Sequence, residues 1–133
     1  MSSKIENYLK LEKKLEELTH LGNIANIAHW DSATMLCSGS AANRQKEMAT
    51  FSSVIHEMST SNEMGDLING SLAEFDHLDD WQRSNLASAK KSYDSQTCLT
   101  VDIQHEHSIA SSECEFTWRT ARKENDFKKL EPY

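Results

Sequence analysis

The sequence predicts an all-α fold, and three observations predict it. Chain breakers are scarce, with 1 proline and 4 glycines among 133 residues. Leu, Glu, Lys, Ala and Ser dominate, and most of these are good helix formers. Apolar residues recur at steps of three and four, whereas no stretch alternates with the period of two that a half-buried strand requires. The expected architecture is one helical domain over residues 1–133, with about five helices and a long N-terminal helix packed on an antiparallel helical bundle. A chain of this length buries about two-thirds of its unfolded surface, enough for one core.

The first element is the clearest. Ile5, Tyr8, Leu9, Leu11, Leu15, Leu18, Leu21, Ile24, Ile27 and Ala28 form one stripe on a helix from about Ser3 to His29, with Glu and Lys on its other face. This stripe is longer than four shorter helices need to cover, so it is the expected seat of self-association. A turn is expected over Trp30 to Gly39, after which Ser40 is placed to cap a second helix bearing Met48, Phe51, Val54, Ile55 and Met58. Ser59-Thr60-Ser61-Asn62 is a break made of capping residues. Glu63 to Phe75 then fits a third helix with Met64, Leu67, Ile68, Leu72 and Phe75 inward. Asp79 and Gln82 have the form of a capping box for a fourth helix carrying Trp81, Leu86, Ala89 and Tyr93. After Asp94 to Thr97, Thr100 or Asp102 starts a fifth, with Ile103, Ala110, Cys114, Trp118 and Ala121 on one face, stopped by Asn125-Asp126 and Pro132.

A net charge of −7 is the wrong sign for a nucleic-acid partner, which selects for a basic face. No run approaches the ~20 apolar residues of a membrane span. The N-terminus opens into a charged helix rather than an export signal, so the expected location is the cytoplasm. Cys37, Cys98 and Cys114 are an odd number with no CxxC pair, which reads as free thiols in a reducing compartment.

The residues that do chemistry elsewhere are present without the spacing that chemistry needs. A catalytic zinc is held by ligands such as His-Glu-x-x-His, because two histidines four apart share one helix face. Here His56-Glu57 is followed at the required position by Thr60, and His105-Glu106 by Ile109. His105 and His107 diverge by about 200° on a helix. No serine lies in a Gly-x-Ser-x-Gly elbow, and no glycine-rich phosphate loop occurs. The expectation is therefore no catalytic residue, no metal ligand set and no cofactor within this chain. One group stands out: Trp30, Asp31 and Arg44, an aromatic, an acid and a base around the first turn. They read either as a structural turn, with Asp31 capping or pairing with Arg44 while Trp30 fills core, or as part of a binding surface.

Trp30-Asp31-x-x-Thr34-Met35, with Gly39 four residues beyond the Met and Arg44-Gln45 after it, resembles the N-terminal signature of the carboxypeptidase Taq family of zinc metallocarboxypeptidases. The likeness continues through Phe51 to His56, Glu63-Met64-Gly65-Asp66-Leu67, and Leu78 to Tyr93 with Asn85-Leu86. It resumes in Trp118-Arg119-x-Ala121-Arg122-x-x-Asn125-Asp126-Phe127 and ends at Pro132. Leu36-Cys37 stand where the family usually has a proline, which implies a looser turn. The family's enzymes are several times longer, and their zinc and catalytic motifs lie downstream of anything present here. The resemblance thus implies an N-terminal helical segment that supplies wall to a peptide-substrate groove and interface to the rest of the catalytic domain. Zinc or another divalent metal, and the peptide substrate, belong to the full-length enzyme. On this resemblance Trp30, Asp31 and Arg44 help shape the substrate groove. The alternative is a self-standing helical protein-interaction module.

Overall fold

The computed structural model describes residues 4–132, apart from the side chains of Ser38 and Val101. The fold is all-α, as the spacing predicts, with no strand among the described residues. The helices are α1 (Glu6–Thr34), α2 (Ala41–Ser59), α3 (Asn62–Ala73), α4 (Asp80–Gln96) and α5 (Val101–Glu124). Short 3-10 turns occupy Ser38–Ser40, Phe75–His77 and Phe127–Lys129. The expected start of the first helix at Ser3 lies outside the described residues. Where the sequence suggests one domain, contacts cluster into two compact units, and α1 contributes to both.

Unit 1 comprises α1 as far as Ile24, α2 from Val54, and α3 and α4. Its core is Tyr8, Leu11, Met64, Ile68, Leu78 and Leu86, with Ile5, Leu15, Leu18, Leu67 and Tyr93 packed around them. Apart from Leu78, which no predicted stripe includes, these are inward residues of three predicted stripes, and their burial is the main stabilising contribution here. Gly65 makes one close approach possible: a Cβ there would stand 2.6 Å from the Tyr93 hydroxyl. Leu72 and Phe75, expected inward, are about two-fifths exposed, and Trp81 is 80% exposed in the first turn of α4. Trp81 stands five residues before Leu86, about 140° round the helix, so it does not share the face of α4 that Leu86 buries.

The helix ends of unit 1 are closed as the capping residues predict. Ser61 accepts from the Met64 N–H, and Asp79 and Gln82 form a reciprocal capping box. The start of α1 is closed differently. Glu74, distant in sequence, accepts the backbone N–H groups of Asn7 and Tyr8 at 3.0 Å each and the Asn7 side-chain amide at 2.8 Å. These are first-turn donors that the helix itself leaves without partners, and a carboxylate there also complements the helix dipole. Glu74 is thus an N-cap supplied from another helix end.

Unit 2 comprises α1 from Ala25, α2 as far as Ser53, and α5 with the turn after it. Its fully buried apolar residues are small: Ala49 and Ala121. The expected apolar face of α5 is half wet, with Ile103 at 51% and Trp118 at 42% exposure. Trp118 is therefore not a fully buried anchor, and its truncation does not carry the ~3–5 kcal/mol cost of one. Asn125, at φ 53°, ends α5 in the left-handed conformation that asparagine tolerates.

Replacing Glu74 with Ala removes three accepted hydrogen bonds and the cap of α1. We expect a loss of about 1–2 kcal/mol, the range measured for caps. Chemical denaturation of the two proteins measures it, and an unchanged midpoint would show that water replaces the carboxylate without loss.

Candidate functional site

The expected turn from Trp30 is not where the chain turns. Residues 30–34 contain no Gly or Pro, and α1 runs through them to Thr34. Ser32 and Thr34 hydroxyls donate to the carbonyls of Ala28 and Trp30, each at 2.8 Å, as helical Ser and Thr do. The helix closes when the N–H groups of Met35 and Leu36 both reach the Asp31 carbonyl. Gly39 then lies in the 3-10 turn that leads into α2.

This end of α1 has no basic residue of its own in its last turn. Arginines from the other helices of unit 2 take that place. Arg44 of α2 pairs with Asp31 at 2.8 Å through Nη1, which also donates to the Ala28 carbonyl at 2.9 Å, while its Nε donates to Glu47 at 3.0 Å. Arg119 of α5 donates to the Ser32 carbonyl at 3.1 Å and pairs with Glu115. Glu115 lies 3.9 Å from His29 Nε2. Positive charge beside a helix C-terminus offsets its dipole, and a guanidinium with several donors can bridge carbonyl and carboxylate together.

Asp31 and Arg44 therefore meet, as one of the sequence readings has it. Trp30 does not fill core: it is 62% exposed. Successive residues on a helix diverge by about 100°, so Asp31 facing α2 leaves Trp30 outside. Arg119, Glu115 and His29 complete the cluster. Glu115 and Arg119 are a local i,i+4 pair on α5, but their meeting with His29 and the Ser32 carbonyl is made across helices and no local pattern marks it.

Other reactive groups are accounted for by their neighbours. Ser53 Oγ lies 3.1 Å from the Ala49 carbonyl, to which it can donate as helical serines do, and 3.3 Å from His105 Nδ1. His56 is buried, with Nε2 3.1 Å from the Leu99 carbonyl. Ser40 does not act as the simple cap expected of it: its hydroxyl lies 3.2 Å from Cys37 Sγ. That hydroxyl, with the N–H groups of Ser40 and Gly39, holds the exposed Cys37 thiol below the ordinary cysteine range. Among the described residues no three His, Cys, Asp or Glu side chains converge as a metal site requires. The residues present do not fit the metal that the resemblance implies. No described helix is long and apolar enough to cross a membrane.

The family model for carboxypeptidase Taq (M32) metallopeptidases matches residues 10–133. The chain belongs to that family. It is 27% identical over 119 residues to Carboxypeptidase 1 of Bacillus subtilis (strain 168), a match covering 90% of this chain and 24% of that protein. The crystal structure of BsuCP superposes with a TM-score of 0.90 at 25% identity, over 96% of this chain and 26% of that one. Trypanosoma cruzi metallocarboxypeptidase 1 shares the fold, with a TM-score of 0.76 at 24% identity over the same shares. The chain thus spans about a quarter of the length of these M32 relatives.

Two outcomes follow from the cluster. Arg44→Met takes the guanidinium from Asp31 and removes one of the donors to the Ala28 carbonyl, which keeps the Ser32 hydroxyl, and we expect a loss of about 1–2 kcal/mol, against less than about 0.5 kcal/mol for the exposed Trp30→Ala. Thermal melts rank them, and equal effects would remove the structural role given to Arg44. Separately, Ser40→Ala should raise the pH at which Cys37 is half alkylated, because the thiolate loses a donor. Alkylation rates followed by peptide mass spectrometry would refute this by leaving the midpoint in place or lowering it.

Proposed function

We propose that this chain is the N-terminal helical part of a zinc-dependent metallocarboxypeptidase that releases single amino acids from peptide C-termini. The observation that carries the reading is the match of an M32 family model across residues 10–133 in a chain one quarter the length of its relatives. In this reading the chain supplies groove wall and interface, and the metal ligands lie in the rest of the catalytic domain, which is its principal partner. Trp30, exposed beside the Asp31–Arg44 pair, is the residue of that group offered to the groove. Ile27 and Trp30, three apart on α1 and both more than three-fifths exposed, support a further role in self-association. The proposed location is the cytoplasm, with neither nucleic acid nor membrane as partner.

The test compares two proteins. The purified 133-residue chain, given zinc or cobalt and a peptide, should release no C-terminal amino acid, since its residues assemble no ligand set. A polypeptide that continues through the family's full length to a His-Glu-x-x-His helix should release it with zinc. Release by the short chain would overturn the assignment of the metal site to the missing part, and an inactive zinc-loaded long chain would overturn the peptidase reading.

A further inference from the structure

We draw no further inference here: the strongest candidate, the groove over α3 and α4 of unit 1 where the part-exposed Leu72 and Phe75 lie beside Arg83 and Lys91, carries nothing, because Arg83 is already engaged by the Phe75 ring and carbonyl and nothing in the structure shows what covers the apolar face.

Discussion

The C-terminal end of α1 is the constraint on which unit 2 depends. A long helix delivers unpaired carbonyls and a partial negative charge at a point where its own sequence offers no cation. Arg44 and Arg119 arrive from α2 and α5 and convert that end into the junction of three helices. Among the described residues the buried apolar side chains of unit 2 are alanines, which contribute little transfer free energy each. Polar cohesion of this kind is directional, so it fixes where the helices meet more than how tightly they pack.

Unit 1 is built on the opposite balance. Tyr8, Leu11, Ile68 and Leu86 are almost wholly removed from water, and apolar burial supplies the cohesion. Its polar groups close ends instead: Ser61 and the Asp79–Gln82 box start α3 and α4, and Glu74 starts α1. The two ends of α1 are thus treated alike in principle. Each is met by charge of the sign opposite to its dipole, a carboxylate at the start and guanidinium groups at the finish, and each partner comes from another helix.

The M32 relationship gives meaning to what this quarter-length chain leaves exposed. Ile27, Trp30, Met35, Ile103, Trp118 and Phe127 are large apolar residues at 42–74% exposure in unit 2. Single exposed apolar residues are ordinary, but six in a unit with so small a buried core mean that its apolar surface is only partly used among the described residues.

The sequence by itself determined the all-α class, the helix order and the caps of α3 and α4. Periodicity and capping chemistry are local, and each is written within a few residues. It also offered the Asp31–Arg44 pair as one of several readings and, through the Trp30 to Gln45 pattern, marked the family. Only the tertiary structure decided which stripes stay dry, that α1 continues through Trp30 to Thr34, that Trp30 and Trp118 face water, and that Glu74, Glu115 and Arg119 serve the ends of α1. Those outcomes depend on residues 67 to 87 positions apart meeting in space, as Asn7 meets Glu74 and Ser32 meets Arg119. A helical period records which residues share a face, not which neighbour covers it, and charge placed by another helix leaves no trace in the local pattern that it completes.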